Sequence, residues 1–260
     1  MRIAIVLLLV SLSAGRVPAQ SGDSARLEPI RQLRKGVDAW PLIAHASTPA
    51  ERSVNAILNR LNERMTKALS DCDENYRERV KQVAQPLMGN NAQEGDWERK
   101  ITVTMAGPHY LALVAIDSIV FCGGAHPDSY TLAMVFDLTT GSPVIWMNLI
   151  AASANASAYS HTTYDGTTVG ALIVPALRAM TIAQAVEDCK SAFLTPQPYQ
   201  LWPDAKSGTL TAEPIDLPHV VAACADDLKL TPNQARALGF DNALLSAIAQ
   251  AHRQIVAGRH

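Results

Sequence analysis

The sequence predicts an α+β fold, an antiparallel sheet meander packed by helices, with added C-terminal helices. An amphipathic helix pattern follows residue 47, three strand patterns joined by short turns occupy residues 101–138, and two capped helix patterns follow residue 230. The chain has 260 residues, of which 48% are hydrophobic and 18% charged. This composition is typical of a chain that buries a core and is long enough for one large domain or two small ones.

Residues 1–19 have the pattern of a secretory signal peptide. Arg2 precedes an apolar run, and Val17-Pro18-Ala19 offers small residues where a signal peptidase cleaves. The alternative is an N-terminal membrane anchor, but the run is well short of the ~20 residues that a spanning helix needs. We therefore expect an exported chain, periplasmic or extracellular, with no membrane span after cleavage. Residues 20–38 show no periodicity and are predicted to be a flexible N-terminus.

The first helix is predicted to begin at a capping box. Thr48-Pro49-Ala50-Glu51 places a hydroxyl side chain three positions before a glutamate, with proline at the first helical position. The apolar residues that follow recur at helical spacing and form one stripe: Val54, Ile57, Leu58, Leu61, Met65 and Leu69. We expect this stripe to pack against the sheet. The pattern becomes polar and weak over residues 71–99, where Pro and Gly residues indicate a loop.

The three predicted strands form a meander with short connections. Residues 101–105 alternate between apolar and polar, residues 111–120 are apolar on both faces apart from Asp117 and Ser118, and residues 132–138 alternate again. Gly141 supplies the positive φ of the following hairpin turn.

The second half of the chain shows weaker patterns. Residues 151–170 are rich in Ala, Ser, Thr and Gly and are predicted to be a loop, and residues 172–193 are helical in pattern with a break near Pro175. A second hairpin is predicted over residues 200–215. Residues 39–217 are assigned to one α+β domain. Residues 218–260 form a C-terminal helical extension, which contains a second capping box at Thr231 and a helix start at Asp241.

The four cysteines predict two disulfide bonds in an exported chain. They are Cys72, Cys122, Cys189 and Cys224. Four cysteines allow three connectivities, and the sequence alone does not choose among them; we favour the sequential pairs Cys72–Cys122 and Cys189–Cys224. A zinc site would need closer spacing, because the nearest pair lies 35 residues apart. We expect no metal ion and no cofactor.

The charge balance argues against a nucleic-acid partner. The 22 Lys and Arg residues face 24 Asp and Glu residues, whereas nucleic-acid binding usually requires a strongly basic face. The chain also lacks the H-E-x-x-H, G-x-S-x-G and S-x-x-K patterns and a phosphate-binding glycine loop. The nucleophile-based enzyme classes therefore have no local support, and no catalytic residue is assigned.

One segment concentrates the residues that could bind a ligand. Gly123 and Gly124 leave backbone N–H groups accessible, and His126 and Asp128 would project to the same side of an extended segment. This arrangement could orient an imidazole for acid–base work or supply half a metal site. The other interpretation, which we favour, is a rigid loop in which His126 bonds to backbone. His161 and Asp165, four residues apart in a Ser/Thr/Gly-rich segment, are weaker candidates.

Three segments carry a resemblance to a known domain: Gly123-Gly124-Ala125-His126-Pro127, Phe136-Asp137-Leu138-Thr139-Thr140-Gly141 and Leu149-Ile150. They resemble a bacterial exported domain of unknown function, of the type found in the extracellular part of the lysozyme-sensing anti-sigma factor RsiV. Weaker matches extend the resemblance to residues 40–217. It implies an α+β domain whose known relative binds a protein partner at the cell envelope.

Three function classes follow from these observations. The favoured one is an exported envelope binding module without catalytic activity, which recognises a protein such as a lysozyme, or a cell-wall component. The alternatives are an exported hydrolase that uses His126 with an acidic partner, and a structural or stress-related periplasmic protein. A deep cleft with His126 and two converging acids would favour the hydrolase, whereas a flat exposed apolar patch would favour a protein partner.

Overall fold

Two β-sheets and four α-helices make up the described part of the chain, an α+β fold as predicted. The structure is a computed structural model that describes residues 24–82, 96–120, 122 and 127–258. The predicted signal peptide, the loop expected around residues 86–95, and the candidates Gly123, Gly124 and His126 lie outside the described residues.

The first sheet is built on the predicted meander. Its long antiparallel strands are β3 (Asp96–Ala106), β4 (Tyr110–Val120) and β5 (Asp128–Asp137). Three short strands complete it: β1 (Gln32–Arg34), β2 (Val37–Asp38) and β6 (Ser142–Pro143). The strand order is β1-β2-β3-β4-β5-β6, and β2 lies parallel to β3, so the sheet is mixed.

The strands β1 and β2 correct the prediction of a flexible segment over residues 20–38. Val37 is fully buried, and the backbone N–H of Ile101 donates a hydrogen bond of 3.0 Å to Asp38 Oδ2. Arg34 Nη1 lies 3.0 Å from Asp73 Oδ1 of the first helix. These contacts with distant residues hold strands that are too short to show a period of two in the sequence.

Helix α1 (Pro49–Gln82) covers one face of the first sheet. Its capping box forms as predicted: Glu51 N–H donates to Thr48 Oγ1 at 3.1 Å, and Thr48 N–H donates to Glu51 Oε2 at 2.8 Å. The predicted stripe lies against the sheet, with Leu58 fully buried. The helix is longer than expected, because Cys72 and Tyr76 continue the buried stripe into the polar stretch after residue 71.

Successive residues of β4 and β5 point to opposite faces of the first sheet. On one face, Leu111 and Leu113 pack with α1 in one apolar core. On the other face, Ala112, Val114 and Val135 pack with residues of the second sheet in a separate core. The first sheet is therefore buried on both faces along its centre.

The second sheet is antiparallel, with the order β11-β10-β9-β8-β7. Its strands are β7 (Ser157–Thr162), β8 (Thr168–Ile173), β9 (Pro198–Asp204), β10 (Thr209–Pro214) and β11 (Leu228–Leu230). The predicted hairpin forms as β9 and β10. The predicted loop over residues 151–170 is wrong, since it contains β7 and the start of β8. Nearly every residue of β7 is exposed, so the strand carries no apolar alternation.

Three further helices pack with the second sheet: α2 (Pro175–Gln184), α3 (Pro232–Ala237) and α4 (Asn242–Val256). Short 3-10 segments precede α2 at Trp146–Leu149 and Ala152–Ala154, and others lie between α2 and α3 at Glu187–Phe193 and His219–Cys224. The capping box at Thr231 and the N-cap at Asp241 form as predicted. The strand β11 within the C-terminal extension pairs with β10, so that extension shares the core of the second sheet.

Both disulfide bonds follow the favoured pairing. Cys72 of α1 is bonded to Cys122, just after β4, and Cys189 is bonded to Cys224. The first bond ties the long helix to the end of a central strand. The second ties together two 3-10 segments, one of which carries Ala222, a residue that lines the groove described next.

Candidate functional site: a groove between the two sheets

A groove opens where the packing between the two sheets ends. The buried contact runs through Ala112 and Val114 of β4, but Ile116, the next residue on that face, is 54% exposed. Two adjoining cavities of ≈ 240 and ≈ 430 Å³ occupy this opening and share Thr131, Glu213 and Ala225 in their linings. We call the two cavities together the intersheet groove.

Strand β5 and the chain after β10 supply most of the lining. Asp128, Tyr130 and Thr131 of β5 form one side, and residues 213–217 with Ala222 and Ala225 form the other. Residues 161–164, at the end of β7, close one end. Ile116, Trp202, Asp226 and Asp227 line the second cavity. Residues from both sheets are thus needed to form the site.

The side chain of Gln200, on β9 of the second sheet, forms two hydrogen bonds with the edge of β5. Its side-chain Nε2 donates a hydrogen bond of 2.7 Å to the carbonyl of Thr131, and its Oε1 accepts one of 2.8 Å from the N–H of Ala133. The residue is 1% exposed, so both bonds are shielded from water. Gln200 fixes how far the sheets can separate beside the groove.

Glu213 of β10 lies at the junction of the two cavities. Its Oε1 accepts a hydrogen bond of 2.9 Å from Thr131 Oγ1, while its Oε2 is buried without a hydrogen-bond partner among the described residues. Burial, helped by the charge of Asp227 and opposed by the Thr131 bond, raises the pKa of Glu213 to about 8. At neutral pH the carboxyl is therefore mostly protonated and can donate a hydrogen bond.

Asp216 forms the rim of the groove in an unusual backbone conformation. Its φ of 58° lies in the left-handed region, which costs energy for a residue with a Cβ. Two side chains of β7 hold it: Tyr159 OH donates to Asp216 Oδ2 at 2.6 Å, and His161 Nδ1 lies 2.7 Å from Asp216 Oδ1. His161 is thus engaged by Asp216 rather than by Asp165.

The lining of the groove is acidic. Its charged residues are Asp128, Glu213, Asp216, Asp226 and Asp227, and no Lys or Arg occurs among the described residues that line it. With Glu213 protonated, four carboxylates remain. Such a site repels anions and raises the local concentration of cations.

A buried ion network supports the groove from the helix side of the sheet. Arg99 of β3 donates to both carboxylate oxygens of Asp117 on β4, each at 2.8 Å, and to Asp165 Oδ2 at 3.0 Å. Arg99 and Asp117 are fully buried. Burial opposes ionisation of Asp165, but the Arg99 charge and hydrogen bonds from Thr163 and Thr167 outweigh it and lower its pKa.

This network anchors the β7–β8 turn, residues 163–167, to the first sheet. Because Asp165 bonds to Arg99, the turn reaches past the edge of β5 and its Tyr164 ring stacks on Tyr130 with centroids 6.4 Å apart. The end wall of the groove is therefore held by a buried ion pair and not by loop packing alone.

The structure places two of the candidates predicted from the sequence in the groove, Asp128 and the weaker candidate His161. Asp128 begins β5 and lines the first cavity, where its Oδ1 accepts a bond of 2.9 Å from the N–H of Ser129. Gly123, Gly124 and His126 precede this strand in the sequence and lie outside the described residues. The groove residues Glu213 and Asp216 were not predicted as a site, although both belong to a segment that carried the weaker resemblance.

The described residues contain no group of three or more His, Cys, Asp or Glu side chains that could hold a metal ion. Within the same residues, none of the helices combines the length and hydropathy needed to cross a bilayer.

The fold has a counterpart of known structure. The chain is similar to the crystal structure of a DUF3298 family member from Bacteroides fragilis, with a TM-score of 0.50 and 12% sequence identity, over 88% of this chain and 97% of that chain. No family model matches the chain, and neither does any curated protein. At this identity the likeness concerns the fold: the protein has the α+β architecture of an uncharacterised domain family.

Proposed function

We propose that the protein is an exported binding module of the cell envelope, without catalytic activity, that takes its partner in the intersheet groove. The observation that carries this proposal is the acidic groove between two sheets whose separation is fixed by Gln200. The partner is a protein such as a lysozyme, or a cell-wall component. The signal-peptide pattern, the two disulfides and the resemblance to the RsiV-type domain support the envelope location.

The polar groups of the groove suit binding better than turnover. At the rim, the side chains of His161 and Tyr159 both contact the carboxylate of Asp216 and hold this residue in place. The carboxyl of Glu213 accepts a hydrogen bond from Thr131 through one oxygen, and its second oxygen is buried. These side chains are held in fixed positions, which suits a site that recognises a ligand without reacting with it.

The test is a binding measurement that separates the groove from the rest of the surface. Calorimetry should detect binding of lysozyme or soluble peptidoglycan fragments to the disulfide-bonded protein purified without residues 1–19. The variant Ala222→Trp fills the groove and should weaken binding at least about tenfold, whereas Ala223→Trp, an equally exposed neighbour outside the lining, should not. Equal affinities for the two variants would place the site elsewhere, and no binding to either probe would contradict the proposal.

A hydrolase remains the second candidate because Glu213 holds a proton near neutral pH, as a general acid must. In that case His126 would act with an acidic partner such as Asp128. Release of soluble fragments from peptidoglycan, lost in both Glu213→Gln and His126→Ala, would establish the hydrolase and displace the binding module. Binding without fragment release is the expected result.

A further inference from the structure

Part of the edge of β5 is unpaired where it faces the groove, beside the β7–β8 turn whose Tyr164 stacks on Tyr130. Among the described residues, the strand that pairs with β5 on this side is β6, at Phe136 and Asp137. In an antiparallel strand the N–H and C=O groups of alternate residues point to one neighbour and then to the other. The N–H of Ala133 and the carbonyls of Thr131 and Val135 bond to groups outside β4, so the odd-numbered residues of β5 face outward.

The side chain of Gln200 occupies one position along this edge. A residue of a parallel neighbouring strand would donate its N–H to the Thr131 carbonyl and accept the Ala133 N–H through its own carbonyl. The carboxamide of Gln200 makes both of these bonds. The molecule thus shows that the β5 edge binds a peptide-like group in this geometry.

The next backbone pair along the edge is unoccupied. The N–H of Thr131 and the carbonyl of Ser129 point away from β4 and have no hydrogen-bond partner among the described residues. Thr131 lines both cavities of the groove, and Asp128 and Tyr130 line the first. One donor and one acceptor, spaced as in a sheet, are therefore presented inside the groove.

The charge around these groups selects the ligand. Asp128 and Asp216 line the first cavity, and Asp226 and Asp227 the second, so carboxylates line both cavities that the edge faces. A ligand with cationic side chains gains from this arrangement, and an anionic ligand is repelled.

On the basis of the proposed function, we propose that the groove binds an extended, positively charged peptide segment of its partner, which adds to β5 at Thr131 and Ser129 while its cationic side chains face the surrounding carboxylates. This mode of recognition takes its affinity from main-chain hydrogen bonds and its selectivity from side chains.

The probe is a heptapeptide in which lysine alternates with threonine and valine, compared with the same peptide carrying glutamate for lysine. Fluorescence anisotropy at low salt should detect binding of the lysine peptide only. Methylation of its central backbone nitrogens should weaken binding at least about tenfold, because it removes strand hydrogen bonds without changing charge. On binding, the Thr131 amide should become protected from hydrogen exchange in NMR spectra.

Matched variants test the charges. Asp226→Asn with Asp227→Asn removes two carboxylates from the groove and should weaken peptide binding about three- to tenfold. The control Glu187→Gln with Asp188→Asn removes two adjacent exposed carboxylates that do not line it, and should leave binding unchanged. If both double variants lost peptide affinity equally, the loss would come from the net charge of the protein and not from the groove, and the proposal would be overturned.

The outcomes also separate this inference from the proposed function. If lysozyme or peptidoglycan binds and Ala222→Trp prevents it, but the peptide does not bind, then the groove is a binding site and the peptide assignment is wrong. If a soluble glucosamine oligomer binds without protecting the Thr131 amide, the occupant is a cationic glycan, and strand addition is overturned. Binding of the peptide with Thr131 protection supports both proposals.

Discussion

The carboxyl of Glu213 should make the protein less stable as the pH rises. Burial, assisted by the charge of Asp227, raises its pKa from 4.5 to about 8. Between these values the folded protein holds a proton that the unfolded chain has released, so the free energy of unfolding falls with increasing pH. The contribution is fully present below pH 4.5 and is lost as the pH rises through about 8. Integrating from pH 5 to pH 8 gives a loss of about 3–4 kcal/mol.

The substitution Glu213→Gln isolates this contribution. Glutamine can still accept the hydrogen bond that Thr131 Oγ1 donates, and it does not titrate. The variant should lie within about 1 kcal/mol of the wild type at pH 5 and be more stable by about 3–4 kcal/mol at pH 8. The titrating groups that do not interact with Glu213 are present in both proteins and cancel in the difference, and the repulsion between Glu213 and Asp227 is part of the contribution that the substitution removes.

Urea unfolding at pH 5, 6, 7 and 8, followed by tryptophan fluorescence with the disulfides intact, measures this difference directly. Glu98→Gln, at an exposed position, is the control and should change stability equally at all four values. A constant difference between Glu213→Gln and the wild type across this range would refute the reasoning, because it would mean that the carboxyl ionises in the folded protein as it does in the unfolded chain.

The remaining predictions concern packing. Leu58→Ala should cost about 2–5 kcal/mol of unfolding free energy in urea, because the side chain is fully buried between α1 and the first sheet, whereas the exposed Asn59→Ala should cost under about 0.5 kcal/mol. Gly141→Ala should lower the melting temperature more than Gly166→Ala. Both glycines have similar positive φ values, of 73° and 77°, but a Cβ at Gly141 would lie 2.5 Å from the carbonyl oxygen of Ala50 and a Cβ at Gly166 would contact nothing within 4 Å. Equal melting temperatures for the two variants would contradict this expectation, because they would show that the start of α1 at Ala50 moves to accommodate the new Cβ without cost.

The elements that could be predicted from the sequence are those whose signal is local. The stripe of α1 and the alternation of β3 each report one buried face, and the apolar run of β4 reports a strand buried on both faces. The strand β7 could not be predicted, because as the exposed outer strand of the second sheet it buries almost nothing. The strands β1 and β2 are held by contacts with β3 and α1, which are distant in the sequence.

Two residues of the candidate site were candidates from the sequence, Asp128 and, as a weaker one, His161. Asp128 drew attention because it follows a glycine-rich segment with a histidine. Glu213 looks like any glutamate in a strand, and its burial depends on the position of the first sheet, which no local pattern reports. Asp117, an acid inside an otherwise apolar strand pattern, is the signal that the sequence offers for the buried Arg99 network beside the groove.

The two hydrogen bonds between Gln200 and the edge of β5 also affect self-association. An uncovered strand edge can pair with the same edge of a second molecule, and such pairing is a route to aggregation. Here two copies meeting edge to edge would find one position on each β5 already filled by a carboxamide, and would bring Asp128 and Asp216 of both copies together. Like charges then oppose the contact. The features that suit the groove to a cationic segment thus also discourage the protein from polymerising through it.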